Sequence, residues 1–136
     1  MPSIDRAASA GCLEIAPSGR FFTQGGRPFL YAADTAWSAP TNAGLDEWRA
    51  YLRLRAAQGF TAVQMNLLPQ WDRGIRAGDP PYGLAEPPFA ERGGSPDYGC
   101  PNEAYFARVD AFVAETRAQD LLPALVVFWA DYVAGN

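Results

Sequence analysis

Six side chains stand where a short apolar run gives way to polar or aromatic residues. Asp34 and Trp37 follow the run at 29–33, Gln64 and Asn66 close the run at 60–67, and Trp129 and Asp131 close the run at 121–129. Carboxylates and amides exchange hydrogen bonds with hydroxyl groups, and an indole face packs on the C–H groups of a pyranose or furanose ring. This is the chemistry of binding a polyhydroxylated ligand. Asn66 is the strongest binding candidate, because an inward amide at a strand end is costly without a partner. Trp37, just past a strand end, suits a sugar-stacking platform. Asp34 divides evenly between substrate contact and local capping through Thr35 or Ala36. Trp129 divides between core and platform, Gln64 suits a structural network, and Asp131 reads as a loop residue. The expected substrate-binding set is therefore Asp34, Trp37, Asn66 and Trp129.

No catalytic residue is expected from these. Hydrolysis of a glycosidic bond needs two carboxyl groups ~5–5.5 Å apart for retention or ~6.5–9.5 Å for inversion. Asp34 and Asp131 are the acids at candidate strand ends, and their sequence context gives neither a reason to be a raised-pKa acid.

Composition removes other chemistries. All eleven basic residues are Arg, with no Lys and no His, which takes away Schiff-base and P-loop lysines and the commonest general base and zinc ligand. Cys12 and Cys100 form no CxxC pair, and two isolated thiols favour a reducing compartment over a disulfide. Neither cofactor nor metal is expected. A net charge of −4 without a basic run speaks against a nucleic-acid partner. No apolar run approaches the ~20 residues of a membrane span. Residues 1–11 lack the apolar stretch of a secretory signal, so a cytoplasmic location is expected.

The elements that would position the strand ends alternate along the chain. After a tail at 1–12, strands at 13–15 and 20–23 flank the Pro17-Ser18-Gly19 turn. Gln24-Gly25-Gly26 makes a second tight turn, so a small hairpin precedes a strand at 29–33. A helix is expected over 45–58, with Leu45, Trp48, Leu52 and Ala56 on one stripe, Asp46 and Glu47 in its first turn, and Gly59 just past its end. A second is expected from an N-cap at Asn102 to about Arg117, burying Tyr105, Phe106, Val109, Phe112, Val113 and Thr116. Residues 70–101, dense in Gly and Pro but carrying Trp71, Tyr82, Phe89 and Tyr98, read as a long rim loop with no regular element. Strand, helix, strand, helix, strand is the order of βα units on a parallel sheet. Strand alternation places Leu30, Ala32 and Asp34 on one face, and turns Gln64 and Asn66 inward while Val63 and Met65 face the helices. Arg55 and Asp110, at the edges of the two helical stripes, are expected to form an inter-helix salt bridge.

Residues 22–37, the stretch Arg55-Ala56-Ala57-Gln58-Gly59-Phe60 with 64–66, and Pro101-Asn102-Glu103-Ala104-Tyr105-Phe106 with Asp110 together resemble the apiosidase-like glycoside hydrolases. The resemblance runs over about residues 13–131. It implies an α/β fold in which residues 13–136 are the N-terminal portion, about three βα units, of a (β/α)8 TIM barrel preceded by a small β-hairpin. It also implies action on plant cell-wall glycans, with a carbohydrate as substrate, and a catalytic carboxylate pair on later strands. A whole barrel needs ~250 residues, so completion by a second chain or a further C-terminal segment is expected. The main alternative is a non-catalytic carbohydrate-binding or scaffold α/β domain. A doubly wound regulator is the weaker one, since no Gly-rich phosphate loop precedes a helix.

Overall fold

The computed structural model of the protein describes residues 12–69 and 86–128. Three small sheets and three helices make up these residues. The first sheet is an antiparallel meander of β1 (Leu13–Ile15), β2 (Phe22–Gln24) and β3 (Arg27–Phe29). Gly25 and Gly26 form the two-residue turn between β2 and β3, with φ of 56° and 74°. Such left-handed pairs match the twist of the flanking strands, which is why two glycines are needed.

The second sheet is parallel, in the order β4 (Ala33–Thr35), β5 (Ala62–Asn66), β8 (Leu122–Val126). The connection from β4 to β5 carries α1 (Ala39–Asn42) and α2 (Leu45–Ala57), and α3 (Glu103–Ala118) lies between β5 and β8. One strand therefore falls differently from the expectation at 29–33. The meander ends at Phe29, and the parallel strand begins only at Ala33. Thr61 explains the break. Its hydroxyl accepts the Ala32 N–H at 2.9 Å and donates to the Leu30 carbonyl, and its backbone N–H donates to the Ala32 carbonyl. The backbone of 30–32 is thus bonded to a side chain and a turn instead of a ladder.

Both long helices end near their expected bounds. Glu47 accepts the Gly44 N–H at 2.7 Å to close the start of α2, and Gly59 takes φ of 89° beyond its C-cap at Gln58. Asn102 accepts the Ala104 N–H at 3.1 Å as the N-cap of α3. At the far end Asp120 adopts φ of 56°. Trp48, Leu52, Val63, Met65, Phe112 and Leu121 form the main buried cluster between α2, α3 and the sheet. Trp48 stacks on Phe112 at 5.4 Å and donates its indole N–H to the Phe112 carbonyl at 3.1 Å. Arg108 of α3 donates to the carbonyls of Pro40 and Ala43, which flank the end of α1.

The long loop expected at 70–101 contains a third sheet. β6 (Phe89–Arg92) pairs antiparallel with β7 (Ser95–Pro101) across Gly93 and Gly94, whose φ values are 63° and 79°. The Gly-Gly turn used between β2 and β3 is used again here, and Pro96 and Pro101 are tolerated because the two-stranded sheet leaves each strand an open edge. Residues 70–85, with Trp71 and Tyr82, lie outside the described residues, as do the tail at 1–11 and residues 129–136. Cys12 and Cys100 are exposed and free.

Candidate functional site

The parallel register aligns Ala33 with Ala62 and Leu122, and Thr35 with Gln64 and Ala124. All three strands point the same way, so their C-terminal ends, with Trp37, Asn66 and Val126, gather on one side of the sheet. Val63 and Met65 lie against Trp48, Leu52 and Phe112, so the opposite face carries Thr35, Gln64 and Asn66. This is the orientation expected for Gln64 and Asn66.

Trp37 and Asn66 come together at this edge. The Asn66 backbone N–H donates to the Trp37 carbonyl at 2.9 Å, and the Ala36 N–H donates to the Gln64 carbonyl at 2.8 Å. These bonds extend the β4–β5 ladder past the last strand residue and fix the loop that carries the indole. Asn66 is 3% exposed and Trp37 41%. The edge therefore carries a buried asparagine and a partly exposed indole on adjoining segments. Beside Trp37 opens a cavity of about 460 Å³, bordered by Asn42, Glu47, Trp48 and Tyr51.

Asp34 falls elsewhere. In register with Val63, it sits three residues, or ~10 Å of strand, before the level of Asn66, and it faces the helices. It was expected either to contact substrate or to cap the chain locally, and its carboxylate is instead turned to α2 while also accepting the Thr35 N–H. The Tyr51 hydroxyl donates to its Oδ2 at 2.8 Å, the Arg55 Nε–H donates to the same oxygen, and the Thr35 N–H donates to Oδ1 at 2.8 Å. The Tyr51 hydrogen bond, with those from Thr35 and Arg55, holds the carboxyl below its ordinary range against the opposing effect of burial. Burial first, then the bond to Asp34, pushes the Tyr51 phenol up. Arg55 also lies over the Tyr51 ring at 4.8 Å.

This network replaces the salt bridge expected between Arg55 and Asp110. Arg49 makes the inter-helix pair instead, reaching Glu115 of α3 at 2.6 Å. Six residues separate Arg49 from Arg55, about 240° around a helix, so the two guanidinium groups cannot serve the same neighbour. The i, i+4 spacing of Tyr51 and Arg55 puts both over one spot on β4. That spacing was the available signal for the network, which reading strand ends alone misses. Trp129 and Asp131 lie outside the described residues. Among the described residues, no three His, Cys, Asp or Glu side chains gather to hold a metal ion, and no helix is long and apolar enough to cross a membrane.

Comparison with known proteins bears on this arrangement. The family described as "Apiosidase-like, catalytic domain" matches residues 16–136. A solved structure titled "Glycoside hydrolase" superposes with a TM-score of 0.63 at 20% identity, covering 89% of this chain and 26% of its own. A glycoside hydrolase family 5 structure from Bacteroides vulgatus ATCC 8482 gives 0.59 at 19% identity, covering 84% and 24%. The chain spans about a quarter of the length of these structures. No curated protein matches it.

Proposed function

The chain belongs to the apiosidase-like catalytic-domain family, and on that premise we propose that it supplies part of the sugar-binding mouth of a glycoside hydrolase barrel. The sheet β4-β5-β8 is three neighbouring strands of that barrel, and the meander β1–β3 lies ahead of its first strand. Plant-type glycans, including apiose-bearing ones, are the substrate class. Trp37 is the stacking platform and Asn66 the polar group at the neighbouring strand end, with Trp129, further along the sequence, as another platform. Asp34 ties the first strand to α2 through Tyr51 and Arg55.

The observation that carries this reading is the bond from Asn66 to the Trp37 carbonyl. It brings an exposed indole and a buried amide to one edge of a parallel sheet, where (β/α)8 enzymes place their ligands. The role is binding, not bond cleavage. A general acid needs a raised pKa, whereas Asp34 is held ionised by its neighbours.

Affinity electrophoresis of the 136-residue chain through gels containing soluble pectin tests the proposal. The wild type should be retarded, and Trp37→Ala should weaken the apparent affinity by about tenfold, the equivalent of a lost aromatic contact of ~1.4 kcal/mol. Migration unaffected by pectin, or equal retardation of Trp37→Ala, would defeat it. An aryl glycoside should not be turned over by this chain, and measured release of the aryl alcohol would refute the binding-only role.

A further inference from the structure

The rim hairpin carries an aromatic feature that the strand ends do not account for. Tyr98 of β7 is 60% exposed, yet its ring is not loosely placed. It meets Phe89 of β6 at 5.1 Å and 75°, Phe89 meets Phe106 at 6.0 Å and 66°, and Phe106 meets Tyr105 at 5.3 Å and 83°. Tyr105 is buried and donates its hydroxyl to the Leu67 carbonyl at 2.7 Å, immediately after Asn66. A chain of edge-to-face rings thus runs from the end of β5, through α3, to a tyrosine on the hairpin surface. Near-perpendicular packing of two rings covers at most one face of either, so Tyr98 keeps at least one face open.

Topology puts this ring on the ligand side. The hairpin lies between the C-terminal end of β5 and the N-terminus of α3. It is therefore on the same side of the sheet as Trp37 and Asn66. The same hairpin carries polar groups. Arg92 pairs with Asp97 at 3.1 Å across the hairpin and remains largely exposed, and Glu91 borders a cavity of about 310 Å³ with Phe89, Cys100 and Asn102. A braced, exposed aromatic face on a hairpin that also carries charged hydrogen-bonding groups is a fit for one ring of a glycan, which presents C–H groups on its face and hydroxyls on its rim.

We infer that Tyr98 is a second carbohydrate-stacking subsite, binding a sugar residue of the same glycan away from the ring held at Trp37. This rests on the sugar-binding reading given above. The hairpin makes recognition extend over more than one sugar, so affinity depends on the length of the glycan.

The test compares Tyr98→Ala, Tyr98→Phe and Trp37→Ala in affinity electrophoresis, using pectin and its enzymatically shortened fragments as competitors. Tyr98→Ala should weaken retention by intact pectin about tenfold, as for one lost aromatic stack. Tyr98→Phe should keep it, and in Tyr98→Ala long and short fragments should compete equally. Unchanged far-UV circular dichroism would confirm that the exposed ring is not needed for folding. If Trp37→Ala weakens binding and Tyr98→Ala does not, the subsite is wrong and the sugar-binding reading stands. If the wild type binds no glycan, the sugar-binding reading fails and the subsite falls with it.

Discussion

Asp34 accepts hydrogen bonds from Tyr51, Arg55 and the Thr35 N–H, and its chemistry has a measurable signature. Its carboxyl is held below the ordinary range in the folded chain, chiefly by the Tyr51 hydroxyl. The unfolded chain, with an ordinary carboxyl near 3.9, binds its proton first as pH falls. The stabilisation is therefore complete above that value and is lost as pH drops through the lower, folded one. Asp34→Asn should lower the midpoint of thermal unfolding by a few degrees at neutral pH, and its midpoint should fall less steeply than the wild type's below about pH 4. Parallel melting curves from pH 2 to 7 provide the check, and identical acid slopes would refute the assignment. The substitution should leave the Trp37 indole in place, because the bonds that hold its loop come from Gln64 and Asn66.

Gly59 plays the corresponding part at the level of elements. It turns the chain from α2 into β5 with φ of 89° and has no heavy atom within 4 Å of where a Cβ would lie. Gly59→Ala therefore meets no clash, and its cost is the left-handed backbone alone, about 1–2 kcal/mol in chemical denaturation. Denaturation indistinguishable from wild type would show that the turn is not strained. This glycine, both long helices and the parallel strands β5 and β8 were legible in the sequence. Each is marked by apolar periodicity and terminal residues acting within a few positions. The placement of Asn66 and Trp37 at one edge of the sheet was legible for the same reason. What was not legible depended on contacts distant in sequence. Thr61 interrupts the run at 29–33 from about thirty residues away. Arg55 chose a strand carboxylate over a helix one. The β6–β7 hairpin is a different case, since Gly93-Gly94 repeats the Gly25-Gly26 device; the prolines around it hid a strand that needs few ladder bonds.

At the scale of the described residues, apolar side chains are exposed at the meander, as Ile15, Phe21 and Phe22, and also around the parallel sheet. Among the described residues β4 and β8 are its edges, and Leu30, Tyr31, Leu125, Val127 and Phe128 are exposed near them. Unpaired edges with apolar flanks pair with other chains, and a net charge of −4 opposes this only weakly. The 136-residue chain should self-associate as its concentration is raised, by sedimentation velocity, and Leu125→Lys should reduce the effect. A monodisperse monomer throughout would count against exposed edges as the cause. Arg108 has a different consequence at this scale. By gripping the carbonyls of Pro40 and Ala43 from α3, it splints the segment just after Trp37 to the helix that the rim hairpin leads into. Under the proposed binding role, a displacement of either segment would be passed to the other through this one guanidinium.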